Sequence, residues 1–487
     1  MKYESMTIED LKKLLLNNET SPEDLFNKAR DKAIIDNNKF NIFETIIDKF
    51  NIIETDSLIM GIPYALKDNF STSGILTTAS SNILKNYIPV YDSTVYKKLK
   101  DNGAVLIGKT ILDELAMGGT GTTGHLGSVK NPWCEERLIG GSSAGSAAAV
   151  ACGIVPFSIG SDTGDSVRKP AAYGGVVGFK PTYGRISRYG LFAFASSLDH
   201  VAYFTRCVKD SAIITDILKG KDKYDMTTLN DENINYIDQL ENNIKGKKLF
   251  YFKDICNPDY YKDSNDSELI EILTKFQETI IQCRELGFEV DEIDINKDLL
   301  NAIYPTYMII SCAEATSNNA NLTGIQFGPR GTGENIEEII FNARTVGFSE
   351  LIKRRFILGS YILQKENQEK LFLNAKRVRR MIVDKMNKLF NNYDGLILPA
   401  SGGIAPKFNT ATDKLSEQYL ILENHLAIGN FGGYPSITIP SGFVDNMPIA
   451  INITGPTFKD AETLNIAYKI EEKLGYKGIV MDGCKYV

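Results

Sequence analysis

The chain has 487 residues, of which 43 % are hydrophobic and 24 % charged, the balance of an ordinary folded protein and not of a disordered or fibrous one. Its 61 acidic and 54 basic residues leave a net charge of -7, and the densest basic cluster, "KRVRR" at 376–380, sits in a stretch of helical spacing. A phosphate-neutralising surface is therefore not expected, nor is strong direct binding of nucleic acid. Seven cysteines with no C-x-x-C pair, no apolar leader and no run of about 18 apolar residues predict a cytoplasmic protein with reduced thiols, no zinc site and no membrane span.

Residues 7–50 read as helices. Thr7 stands as N-cap before "IEDLKKLLL", and "SPEDLFNKAR" carries Pro just inside its start. From about 60 to 205 the chain turns rich in Gly, Ala, Ser and Thr, with the strand-like runs "GIPYAL", "GAVLIG" and "IVPFSIG" between helical stretches, the alternation of an α/β sheet. Residues 220–247 are polar and read as a surface loop. Beyond them "KLFYFKDI", "SELIEILTKFQETIIQCREL" and "FEVDEIDI" predict strand, helix and strand, "KLFLNAKRVRRMIVDKMNKLF" a helix with a solvated basic face, and "SITIPSG" and "IAINITG" two further strands.

Two glycine motifs compete for function. "GTGTTG" (119–124) has the dinucleotide-loop spacing, but the preceding "TILDELAM" reads as a helix where a strand is required. "GSSAG" (141–145) would make Ser143 a nucleophile elbow, yet "KNPWCEERLIG" before it is a poor strand. The three histidines, His125, His200 and His425, show no metal-ligand spacing, and no phosphate-binding P-loop is present.

With His scarce, a serine nucleophile needs another base, and a lysine kept neutral by burial is one. Lys67 follows an apolar strand in "GIPYALKDNF"; the structural alternative is a strand-end lysine paired with Asp68. "GGSSAGSAAAVACG" (140–153) gathers hydroxyls and N–H groups before an Ala-rich helix, an arrangement that also suits simple capping by Ser142 or Ser143. "IVPFSIGSDTGDSVRKP" runs a strand into a turn where the N–H groups of Thr163, Gly164, Asp165 and Ser166 can converge on one oxygen.

Taken in order, "GIPYALKDNF" and "GGSSAGSAAAVACGIVPFSIGSDTGDSVRKPAAYGGVVGFKPTYGRISRYGL" resemble the amidase signature family. "EATSNNANLTGIQFG", "ELIKRRFILGSYIL" and "NFGGYPSITIPSG" are similar to the branch formed by the A subunits of tRNA-dependent amidotransferases, essentially end to end. The resemblance implies one amidase-signature domain over 1–487, with a mixed β-sheet covered on both sides by helices: a helical part at 1–55, the signature core at 60–205, the polar loop at 220–247 and the remainder at 248–487.

It also implies a Ser, cis-Ser, Lys triad, with Lys67 the base, Ser142 the bridging serine and Ser166 the nucleophile that takes the acyl group from glutamine and releases ammonia. The implied partners are a B subunit, which uses ATP and Mg2+ and contacts tRNA, and a small C subunit; no cofactor is implied for this chain. For glutamine itself the family pattern points to Arg355, or Arg354, for the carboxylate, Glu423 for the ammonium and Tyr307 in the pocket wall. Where the family has Gly, this chain carries Ala144 and Asp165, and where it has Gln, Lys169; an Asp165 carboxylate pointing away, toward Lys169, Arg168 or solvent, is expected. The competing readings are a free-standing amidase for another small amide and a catalytically silent scaffold.

Overall fold

The computed structural model describes residues 2–230, 234–262, 266–408 and 417–481. Its strands in chain order begin with β1 (Phe43–Ile46), β2 (Pro63–Lys67), β3 (Val105–Thr110), β4 (Lys130–Asn131), β5 (Cys134–Leu138) and β6 (Phe157–Asp162). They continue with β7 (Val177–Lys180), β8 (His200–Thr205), β9 (Lys248–Phe252), β10 (Glu289–Ile293), β11 (Gly395–Pro399), β12 (Ser436–Val444) and β13 (Met447–Thr454). Eleven strands form one sheet in the order β1-β3-β2-β6-β8-β7-β12-β13-β11-β9-β10, while β4 and β5 form a separate hairpin.

The sheet is mixed. β2 lies parallel to β3 and β6, β9 lies parallel to β10 and β11, and the remaining pairs are antiparallel. Every residue of β2, β3, β6, β7, β8, β11 and β13 is buried, so both faces of the sheet are covered, as the near-continuous apolar runs require. The contact between β7 and β12 joins the first half of the chain to the second and brings residues near 170 beside residues near 430.

Local signals explain the helix starts. Thr7 and Ser21 each accept from the N–H three residues on, with Asp10 and Asp24 completing capping boxes and Pro22 opening the second helix. Residues 43–46 depart from the helical reading: Asn41, at φ 56°, ends the helix Pro22–Phe40, and the β-favouring Phe43, Thr45 and Ile46 pair with β3 as an edge strand.

The polar loop is tied down, since Asp222 accepts from the hydroxyls of Thr94 and Ser187, and Asp225 from the N–H of Arg188. In the basic helix Asn374–Phe390, Arg377 and Arg380 lie on the surface as expected, but Arg379 turns inward and donates to Phe431 O and Ser197. The six described cysteines are free, and Cys484 lies outside the described residues. Among the described residues no helix is long and apolar enough to cross a membrane.

Candidate active site

Lys67 is the last residue of β2 and is fully buried beside β6. Its Nζ donates to Ser142 Oγ and Ser143 Oγ, each at 2.8 Å, and to Ser161 Oγ at 2.9 Å. Burial pulls its pKa down to about 7, against the opposing pull of Asp113, Asp162 and Asp199, so a neutral amine is available near physiological pH. The pairing with Asp68 does not form. Successive strand residues face opposite sides of a sheet, and Asp68 meets Lys109 Nζ at 3.2 Å instead.

Ser142 follows a cis peptide bond from Gly141 and precedes the helix Ala144–Ala151. Two backbone contacts hold it: its carbonyl accepts from Asp113 N–H, and Gly141 N–H donates to Gly119 O. The GTGTTG loop supplies the rest of this support. It does cradle an anion, but the anion is the chain's own: the Asp113 carboxylate accepts from the N–H groups of Thr120, Gly121, Thr122 and Thr123 at 2.9–3.1 Å. The segment before the loop is not a helix; it is the end of β3 followed by one 3₁₀ turn, Glu114–Ala116, with Leu115 at φ 51°.

A short strand, β5, does precede GSSAG, contrary to expectation, because "CEERL" pairs back on β4 in a hairpin. Ser143 nonetheless serves Lys67: its hydroxyl accepts from Nζ and donates to Ser161 O at 3.0 Å. Sequence reasoning misses both Ser143 and Ser161 as neighbours of Lys67, since only the parallel pairing of β2 with β6 brings Ser161 there.

β6 ends at Asp162, and the chain then turns through 163–167 into the helix Arg168–Gly174. The turn is clamped from below. Arg168, fully buried, closes on Asp162 through Nε at 3.1 Å and Nη2 at 2.9 Å, and Nη2 also donates to Gly164 O at 2.8 Å and Asn430 Oδ1 at 2.7 Å. Burial raises the Asp162 carboxyl, but Arg168, Lys180 and the Val167 N–H outweigh it and hold it well below the usual carboxylate range. Thr163 is fixed from the side by its hydroxyl, which donates to Asp199 at 2.7 Å.

Among the described residues, the N–H groups of Gly164, Asp165 and Ser166 donate to no protein acceptor, and Ser166 Oγ makes no hydrogen bond. Ser166 is 3 % exposed, and its carbonyl accepts from Ser143 N–H at 3.1 Å, which ties the Ser166 segment to the Ser142–Ser143 segment. The fold thus joins Lys67 to Ser142 and ties the Ser166 segment to the adjoining Ser143, and it leaves free N–H donors at Gly164, Asp165 and Ser166.

The residues expected to hold glutamine are arranged less simply. A Cβ built on Gly164 would lie 2.9 Å from the Tyr307 ring, so Tyr307 packs directly on the turn. Arg355 is half-buried with Nη1 4.0 Å from Met308 Sδ and its guanidinium 5.7 Å from the centre of the Phe194 ring; it makes no ion pair among the described residues, whereas Arg354 is exposed.

Glu423 does lie near the turn but is not a free anchor. Its Oε2 accepts from Lys169 Nζ at 2.9 Å and its Oε1 from Gly402 N–H at 2.8 Å, so its charge is already met within the chain. Of the partners expected for Asp165, Lys169 is taken by Glu423 and Arg168 by Asp162. The Asp165 carboxyl is partly buried and has no hydrogen bond or ion pair among the described residues.

The histidines stand apart from this chemistry. His200 and His425 are buried with Nδ1 against the carbonyls of Leu198 and Leu422, and His125 meets Glu44 at 3.1 Å. No group of three or more His, Cys, Asp or Glu side chains among the described residues is placed to hold a metal ion.

Comparison with known proteins places this geometry among relatives. The family model described as Amidase matches residues 45–464. The A subunit of the glutamyl-tRNA(Gln) amidotransferase of Halothermothrix orenii is 38 % identical over 483 residues, covering 98 % of this chain and 99 % of that protein. The crystal structure of the protein of the same name from Thermotoga maritima is 34 % identical with a TM-score of 0.79, over 97 % of this chain and 95 % of that one. A bacterial aryl acylamidase of the amidase signature family, 20 % identical with a TM-score of 0.79 over 99 % of both chains, shares the fold.

Proposed function

This chain belongs to the amidase signature family, and on that premise we propose that it is the glutaminase subunit of a tRNA-dependent amidotransferase. The observation that carries the reading is the 2.8 Å contact of buried Lys67 with Ser142, whose neighbour Ser143 donates its N–H to the Ser166 carbonyl at 3.1 Å.

Ser166 Oγ attacks the side-chain amide carbon of glutamine while its proton passes through Ser142 to neutral Lys67. The carbonyl oxygen, now an anion, is held by the N–H groups between Thr163 and Ser166, each worth about 3–4 kcal/mol if removed. Lys67 then returns the proton through Ser142 to the amide nitrogen, the C–N bond breaks, and ammonia leaves. Water hydrolyses the glutamyl ester on Ser166 by the same relay in reverse order. Arg355 receives the substrate carboxylate, a planar fork meeting a planar anion, and Tyr307 forms the wall above the turn.

The ammonia goes to a B subunit that activates misacylated tRNA with ATP and Mg2+, braced by a C subunit, so this chain needs no cofactor of its own and meets tRNA mainly through its partner. The acceptor is Glu-tRNA(Gln), the substrate in the names of its relatives, with Asp-tRNA(Asn) as a second candidate. The assembly works in the cytoplasm.

Ammonia release from glutamine, measured with and without candidate B and C subunits for wild type and Ser166→Ala, tests this. The expected result is activity that rises with partners and falls at least about 10³-fold in the variant. Activity on unrelated amides that ignores the partners would favour a free-standing amidase, and none in any assembly a silent scaffold.

A further inference from the structure

Four carboxylates belong to the turn 163–167 or contact it and the helix that follows, and three are closed. Asp162 is locked on Arg168, and Asp199 accepts from Thr163 Oγ1 and from the N–H groups of Phe194 and Ala195. Glu423 is met by Lys169 and Gly402. Asp165, next to the nucleophile, is the open one: partly buried and without a hydrogen bond or ion pair among the described residues. Tyr307 packs on Gly164, the residue before Asp165, and beyond the burial that raises its phenol the charges of Arg355 and Asp165 act on it with opposite sign, so one cation and one anion without an ion pair act on the same side chain. That is the charge pattern of an amino-acid head group turned inside out.

Building on the glutaminase reading, we infer that Asp165 receives the α-ammonium of glutamine and makes the site selective for amides that carry one. Glu423 acts at one remove, by holding Lys169 away from Asp165. A bare carboxylate beside the N–H nest opposes the negative charge of the tetrahedral intermediate; an ammonium seated on it cancels that opposition. Substrates without the ammonium leave the opposing charge in place, so selectivity is exerted on the chemical step as well as on binding.

The charges about the carboxyl agree with a site that awaits a cation. Burial raises Asp165 to about 7, with Lys169 and Arg168 pulling down and Asp162 and Glu423 pushing up, so the ionised form lacks a sufficient partner until substrate arrives.

The test compares L-glutamine with glutaramate, which has the same amide and carboxylate but no ammonium, in the assembled complex. For wild type, kcat/KM should favour glutamine strongly. In Asp165→Asn that preference should shrink about 10- to 100-fold, the range of a charge-assisted contact, with glutaramate hydrolysed as well as before or better. Asp165→Gly, which asks less of the turn, should shrink it likewise. Glu423→Gln releases Lys169 toward Asp165 and should shrink the preference in part, whereas Glu423→Gln combined with Lys169→Met should restore it.

Equal losses on both substrates in the two Asp165 variants would make Asp165 a prop of the turn and overturn the inference, as would a preference that stays lost when Glu423→Gln is combined with Lys169→Met. A wild-type complex that hydrolyses neither amide would overturn the glutaminase reading and this inference with it. A wild type active on both without preference would overturn the inference alone.

Discussion

Replacing Lys67 by Met should lower kcat/KM for glutamine about 10³-fold or more, because the variant fills the same buried space but has nothing to receive the Ser166 proton. In wild type the same group sets the pH profile. Lys67 is a base only when neutral, and burial brings its pKa down to about 7, so kcat/KM should rise tenfold per pH unit below that value and level off above it. Only the neutral amine, held 2.8 Å from Ser142 and from Ser143, can take the relayed proton. A flat profile from about pH 5.5 to 8.5, together with more than a tenth of the activity left in Lys67→Met, would remove Lys67 from the mechanism.

Arg168→Met should be the most damaging single change to stability, costing about 3–5 kcal/mol by removing one partner of a buried ion pair. Asp162 would remain fully buried with its charge uncompensated, and the carbonyls of Gly164 and Leu426 and the side chain of Asn430 would lose a donor. Lys cannot substitute, since a single ammonium does not span those acceptors. Chemical denaturation read by circular dichroism measures the loss, and Asp162→Asn combined with Arg168→Met should recover part of it. A cost under about 1 kcal/mol for Arg168→Met would show that the clamp does not hold the turn.

Sequence order carried much of the site because the relevant pieces are local. Lys67 follows a strand whose every residue is buried, and Ser142 and Ser166 each stand in a Gly-containing segment just before a helix, patterns written in neighbouring residues. What was illegible depends on the sheet order. Ser161 reaches Lys67 only through the pairing of β2 with β6, and Lys169 meets Glu423, 254 residues away, only because β7 lies beside β12.

Other differences arise where a short pattern fits two structures. "FETI" has both helical and strand spacing, and the Asn41 turn and the β3 edge decide for the strand. "GTGTTG" has the composition of an anion cradle and is one, but Asp113, just ahead of it in the chain, fills it. The basic run at 376–380 shows its charge and not its facing: Arg379 bridges to Phe431 and Ser197 because its helix passes the segment 194–199.

Beside Ser166 the two charged residues singled out in the sequence have opposite outcomes: Lys169 is paired with Glu423, and Asp165 has no ion pair among the described residues.

The most direct measurement is the mass of the peptide that contains Ser166, from complex quenched in acid during glutamine turnover. The account predicts a glutamyl adduct on Ser166 that disappears in Ser166→Ala and does not form in Lys67→Met. An adduct on Ser143 or another residue, or turnover of glutamine with Ser166 unmodified under conditions that trap the ester, would contradict it.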